Sequence, residues 1–264
     1  MSLDPTLTIP DMTAKSRPIF DCFSLPPRMA GDGRINEIDI IIPNVSHYAV
    51  IRPELPFNVS SSLLTDSHRL GIAKRIQAAW TEGFAGVVVA QGTDTLEETA
   101  FFLSCIRQNG AVVITGAMAP PEPGNALTTD TVRKHYRAIQ IASDLHAKDA
   151  GVVANMGQGI VSGFDSKKTI GVNFTDPRLM QIQFINSPHF GNVGEIVHED
   201  PTTGRIQIRC KKNLALAQLP ENLKFEVDDL EYLPETELIA APSGAKEYAI
   251  INAVDRQVPA IVIV

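Results

Sequence analysis

The stretch with the most chemical promise is VVVAQGTDTLEETAFFLS (87–104), where Thr93, Asp94 and Thr95 stand between a β-branched run and an amphipathic one. A run of that kind giving way to T-L-E-E reads as a strand turning into a helix, with Thr95 and Glu98 at capping-box spacing. The turn would bring a hydroxyl and a carboxylate to the carboxyl end of a strand, where ligands bind in open α/β sheets. The free amides of a helix start attract anions at the same place. A threonine hydroxyl, or a water beside it, is a weak nucleophile until a base takes its proton, and a lysine serves as that base only where burial or neighbours lower its pKa. Taken singly, each residue also has a plainer account: the threonines cap the helix and Asp94 offsets its dipole.

The elements that must position this turn follow from periodicity. Short β-branched runs, IFDCF (19–23), VVVA (87–90), VVIT (112–115) and GVVA (151–154), alternate with helical patterns at 68–82, 96–108 and 131–146. The alternation predicts βαβ units in a doubly wound, mostly parallel α/β sheet. Within 68–82, Leu70, Ala73, Ile76, Ala79 and Trp80 share one helical face, which should pack on the sheet. After Gly191, EIVHEDPTTGRIQIR reads as two β-like runs around Pro201–Gly204, a hairpin or a crossing linker. From about 213 a second, smaller α/β domain is expected. It holds an apolar run at Leu238–Ala241, a Ser243-Gly244 turn, a helix over 245–257 with Tyr248, Ile251 and Val254 on one face, and a strand at 259–264. The expected division is 1–192, 193–212 and 213–264, the last part reading as shortened because its terminal strand is not followed by a covering helix.

Composition narrows the function classes. The chain has 264 residues, 44% hydrophobic and 20% charged, as in ordinary packed enzymes, and a net charge of −7 with scattered Lys and Arg. A basic surface for nucleic acid is not expected. Cys22, Cys105 and Cys210 show no C-x-x-C spacing and suit free thiols in a reducing compartment. His47, His68, His135, His146, His189 and His198 lack metal-ligand pairing, and no G-x-x-x-x-G-K-S/T loop occurs, so neither metal nor cofactor is expected. No apolar run nears the ~20 residues that cross a bilayer, and MSLDPTLTIPDM lacks the features of a secretory signal. The reading is a cytoplasmic protein with no membrane partner.

Together, VVVAQGTDTLEETAFFLS and the following VVITGAM (112–118) resemble the asparaginase/glutaminase family, in which a strand ends in a GTDT turn, a LEETA helix follows and the next strand ends in G-A-M. A third segment, GVVANMGQGIVSGFDSKKT (151–169), is similar to the family's strand, loop and lysine segment. The resemblance implies an asparaginase-like fold and Thr93, Asp94 and Lys168 as catalytic residues acting together on a side-chain amide. Asp94 would hold and polarise the lysine, and amides after Thr93 would stabilise the oxyanion. By the same resemblance Ser60, Ser61, Gly92 and Ala117 are substrate-binding positions, with Ser61 on the serine of the substrate-carboxylate segment. A homo-oligomer, dimer or tetramer, is implied too.

The resemblance breaks at identifiable places. Family members run their first strand into T-G-G-T-I, whose second threonine is the first nucleophile, followed by a flap with a tyrosine. Here the strand expected at 18–23 runs into Ser24-Leu-Pro-Pro-Arg-Met. Pro26 and Pro27 have no N–H and a fixed φ, where paired glycines let backbone approach a ligand. Gln91 replaces the histidine before GTDT, Gly157 an asparagine and Phe164 an arginine. The implied function is an amidohydrolase-like enzyme acting on a small amide or amino-acid-like substrate, without efficient asparagine hydrolysis. Two other readings stay open: a non-catalytic binding protein that keeps the cleft, and a non-hydrolytic enzyme with Lys168 as proton-transfer base.

Overall fold

The computed structural model describes residues 28–29, 35–40, 49–57, 59–118, 130–144, 146–157, 159–169, 184–200, 205–211, 217–234, 236–239 and 248–263. In chain order the strands are β1 (Arg28–Met29), β2 (Ile35–Ile40), β3 (Ala49–Ile51), β4 (Gly86–Ala90), β5 (Ala111–Thr115), β6 (Val152–Ala154), β7 (Ile160–Ser162), β8 (Lys167–Lys168), β9 (Ile185–Asn186), β10 (Asn192–Glu199), β11 (Ile206–Cys210), β12 (Thr236–Ile239) and β13 (Ala260–Ile263). The α-helices are α1 (Asp66–Thr81), α2 (Leu96–Ser104), α3 (Asp130–Ala142) and α4 (Tyr248–Asp255). The strand expected at 18–23 and the Ser243-Gly244 turn lie outside the described residues.

The fold is α/β, built on a six-stranded sheet in the order β11-β10-β7-β6-β5-β4. β4, β5 and β6 pair in parallel, with Val88 opposite Val113 and Val113 opposite Val153. β7, β10 and β11 add on by antiparallel pairing. Four strands, β4, β5, β6 and β10, therefore run one way and two run against them. Every residue of β5 is buried, which is why its sequence reads as an unbroken apolar run rather than an alternating one. On one face Ala111, Val113 and Val153 pack with Ala138, Ile141 and Ala142 of α3. α2 lies on the other, where Gly163 brings backbone so close that a Cβ there would stand 2.8 Å from both Ser104 Oγ and Val152 Cγ1.

Helix α1 buries Leu70, Ala73 and Ile76, three of the five residues expected on its inner face; Ala79 and Trp80 are half-buried. Its start is closed by His68, whose Nδ1 accepts the Thr65 backbone N–H at 3.1 Å. Its end is set by Gly83, whose φ of 86° stops a helix at little cost only in glycine.

Helix α2 departs from expectation at both ends. Thr95 makes no side-chain cap; its hydroxyl instead donates to the Ser61 carbonyl at 2.8 Å, so a long-range acceptor outcompetes the local one. The helix stops at Ser104 rather than running to 108, because Arg107 N–H donates to Phe225 O and Phe225 N–H to Cys105 O, both at 2.9 Å. That exchange draws residues 105–107 into a bridge. Similarly, α3 ends at Ala142 and not at 146, the Asp144 side chain accepting the His146 N–H at 2.8 Å.

The chain forms two compact units, Met1–Val227 and Asp228–Val264. The antiparallel pair β10–β11, read from sequence as hairpin or linker, belongs to the six-stranded sheet of the first unit. The second unit holds the parallel pair β12–β13 with α4 between them in sequence. The residues expected on one face of α4 are exposed, Tyr248 70%, Ile251 47% and Val254 59%, while Ala253 is fully buried. No described helix is long and apolar enough to cross a membrane.

Candidate functional site

Past the end of β4, Gln91 still donates its N–H to Thr115 O of β5 at 3.1 Å. Gly92 is extended (φ −63°, ψ 152°) and Thr93–Thr95 form one 3-10 turn leading into α2. Glycine is required at 92 by proximity: a Cβ there would lie 2.5 Å from Ser61 Oγ. The neighbouring segment is bound across that gap. Ser61, buried, accepts the Asp94 N–H on its hydroxyl at 3.3 Å and the Thr95 hydroxyl on its carbonyl. Among the described residues the Ser61 O–H proton has no acceptor. The Asp94 amide, the first after Thr93, is thus engaged by Ser61.

Thr93 is 9% exposed. Its hydroxyl donates to Met118 Sδ at 3.7 Å and accepts from Lys168 Nζ at 2.7 Å, from 75 residues away. The Lys168 ammonium also lies 3.8 Å from Asp94 Oδ1, the lysine side chain being 25% exposed and the aspartate 62%. One amine thus reaches a buried hydroxyl and a solvent-facing carboxylate, an arrangement that can move a proton between Thr93 and a reactant on the solvent side. Ala117 is half-buried beside Met118. Ser60 is exposed, its hydroxyl 3.0 Å from that of Ser62.

The structure therefore brings Thr93, Asp94, Lys168, Ser61 and Gly92 together, while Ser60 and Ala117 make no polar contact with them. Sequence reasoning missed Met118 and Glu97 as participants and named Gln91 only as a departure from the family. Met118 was read only as part of a motif. Gln91 keeps its side-chain oxygen buried with no partner among the described residues, and its amide nitrogen 3.4 Å from Gly92 O. Glu97 binds the Lys167 ammonium and accepts the Lys168 backbone N–H at 2.7 Å. Nothing local marks Glu97, because its partner is 71 residues downstream.

The loop preceding Lys168 is anchored separately. Phe164 stacks on Phe101 of α2, with ring centroids 5.3 Å apart. Asp165 accepts from the Ser187 hydroxyl, from His189 N at 3.0 Å and, on its other oxygen, from the His189 ring at 2.6 Å. Burial acts to raise the Asp165 carboxyl, but the bonds from His189 and Ser187 prevail and hold it below the usual carboxylate value. The hydrogen bond and charge of Glu97 raise the Lys167 ammonium. Among the described residues no cluster of His, Cys, Asp or Glu is placed to hold a metal ion.

Comparison with known proteins places this geometry in context. The family model described as "Asparaginase, N-terminal" matches residues 25–209, more than half of the chain. A glutaminase-asparaginase of Pseudomonas aeruginosa is 31% identical over 140 residues, 52% of this chain and 38% of that protein. A probable periplasmic L-asparaginase of Haemophilus influenzae is 29% identical over 219 residues, 82% of this chain and 56% of that one. The solved structure of a probable cytoplasmic L-asparaginase from Campylobacter jejuni superposes with a TM-score of 0.59 at 28% identity, covering 78% of this chain and 58% of that chain. The chain spans about half the length, or less, of these curated relatives.

Proposed function

This chain belongs to the asparaginase family, and on that premise we propose that it is an amidohydrolase that cleaves the C–N bond of a small amide or amino-acid-like substrate through Thr93, Asp94 and Lys168. One observation carries the reading: Lys168 Nζ lies 2.7 Å from Thr93 Oγ1, with Asp94 within 3.8 Å of the same amine. In the proposed step Lys168 takes the proton of Thr93, or of a water seated on it, as oxygen attacks the amide carbon; where Thr93 attacks, a water activated in the same way then hydrolyses the ester so formed. The lysine then returns the proton to the leaving nitrogen, so that ammonia departs neutral. Asp94 holds the ammonium in the interval. The Ser61 hydroxyl and the backbone at Gly92, both against the turn, serve substrate positioning.

The T-G-G-T nucleophile of the family has no counterpart in the sequence, so efficient turnover of asparagine or glutamine is not proposed. A cytoplasmic location and a homo-oligomeric state, dimer or tetramer, complete the reading. The test is ammonia release from L-asparagine, L-glutamine and a panel of small amides. Asparagine turnover near the enzyme median, about 10 per second, would mean that another residue supplies the first nucleophile. With a substrate found, Lys168→Met should abolish turnover while leaving binding within about tenfold, near 1.4 kcal/mol. Strongly weakened binding in that variant, together with a wild type that turns nothing over, would instead make Lys168 a ligand clamp in a non-catalytic protein.

A further inference from the structure

Lys168 faces a mechanical difficulty. Its side chain is long and rotamer-rich, costing up to about 2 kcal/mol to order. It projects from a strand of two residues, β8, paired with β9 through Lys167 opposite Asn186 and Lys168 opposite Ile185, with Thr169 N–H donating to Phe184 O at 3.1 Å and the Asn186 side chain donating to the Thr169 hydroxyl at 2.6 Å just beyond it. A ladder that short cannot by itself keep an amine on one hydroxyl. Fixing it needs a second attachment to the element that carries Thr93.

Glu97 supplies that attachment. It stands in the first turn of α2, the helix that continues directly from the Thr93–Thr95 turn, and its side chain is only 21% exposed. An acidic residue there is favoured by the helix dipole. One carboxylate oxygen accepts the Lys168 backbone N–H at 2.7 Å, within the range of a well-formed hydrogen bond. The other is occupied by the Lys167 ammonium. With both oxygens engaged, the carboxylate does not draw the Lys168 amine off Thr93. The turn and helix therefore grip the lysine at two points, its backbone through Glu97 and its amine through Thr93.

We propose that Glu97 is a positioning residue that sets the Lys168 amine on Thr93 by holding the Lys168 backbone, and that this role depends on the reach of its acceptor oxygen rather than on its charge. The proposal rests on the Thr93–Lys168 reading of the site.

Four variants of the full chain separate the terms. Glu97→Gln keeps the reach and an acceptor but loses the charge; Glu97→Asp keeps the charge but draws the acceptor back by one methylene. Glu97→Ala loses both, and Lys167→Ala removes only the ion pair. Lysines are reductively methylated with a carbon-13 label, and the Lys168 signal is assigned by its loss in Lys168→Arg. The Lys168 signal should keep its wild-type chemical shift in Glu97→Gln and Lys167→Ala, and should change in Glu97→Asp and Glu97→Ala as the amine leaves Thr93. On whichever amide the wild type hydrolyses, Glu97→Asp and Glu97→Ala should lower kcat by about tenfold to a hundredfold, as a misplacement near 1 Å does. KM should stay within about threefold, and Glu97→Gln should restore kcat to within about threefold of wild type.

A Lys168 signal unmoved in Glu97→Asp and Glu97→Ala overturns the proposal, as does a Glu97→Gln variant that behaves like Glu97→Ala. Should no amide be turned over, or should Lys168→Met remain active, the proposed function falls. The Lys168 signal still decides whether Glu97 positions the amine, because it is read without substrate.

Discussion

The GTDT turn and helix α4 are two places where the sequence carries a clear pattern, and the structure treats them oppositely. The turn is tied by Ser61, Met118 and Lys168, partners from 25 to 75 residues away in the chain. The apolar stripe of α4, Tyr248, Ile251 and Val254, is exposed along its length. A polar motif of four residues thus has its environment specified more tightly than a helical face of regular period. The difference teaches that periodicity names a face but not its partner, whereas a hydroxyl or buried amide must find specific atoms or bear the cost of going without.

The largest expected effect sharpens that contrast through apolar side chains alone. Leu103 of α2 is fully buried, and Leu103→Ala should cost about 2–5 kcal/mol. Ile251 lies on the exposed stripe, and Ile251→Ala should stay within about 0.5 kcal/mol. Urea unfolding followed by far-ultraviolet circular dichroism measures both. Equal losses would mean that the α4 stripe is covered in solution, and the contrast between the two regions would fail.

A smaller effect breaks the turn from inside. Gly92→Ala brings a methyl to 2.5 Å from Ser61 Oγ, so that Ser61 must shift and its bonds to Asp94 and Thr95 lengthen. The loss expected for such overpacking is about 1–3 kcal/mol. Unchanged stability would show that the Ser61 segment yields freely and that the turn is less constrained than its contacts indicate.

The smallest effect is one of pH. The folded pKa of Asp165 is held down by His189 and Ser187, so its contribution is fully present above the unfolded carboxylate value of about 3.9 and is lost as pH falls through the lower folded value. Wild type should therefore lose stability across that acid window more steeply than Asp165→Asn. Parallel stability curves from pH 5 down to pH 2.5 would mean that the anchor before Lys168 does not depend on the charge.

Much of the sheet was legible. The runs at 87–90, 112–115 and 151–154 fall within one residue of β4, β5 and β6, because β-branched side chains disfavour helix and favour a pleated, buried surface wherever they cluster. Thr93, Asp94 and Lys168 were legible only through an ordered resemblance over three segments. What failed were local rules facing distant competitors. The Thr95 hydroxyl had a capping partner three residues on and took the Ser61 carbonyl instead. The helix pattern to residue 108 was sound by propensity and gave way at 104 to Phe225.

The sequence by itself thus determined the kind of sheet, the strand-to-helix turn at its carboxyl end and the residue types gathered there. These follow from backbone sterics and short-range periodicity, which act between neighbours in the chain. Only the tertiary structure decided which oxygen each hydroxyl meets, where α2 stops, that α4 shows its apolar stripe to solvent, and that Glu97 and Thr93 hold one lysine at both ends. Those outcomes rest on hydrogen bonds and packing between segments tens of residues apart, whose geometry exists only once the sheet has brought them together.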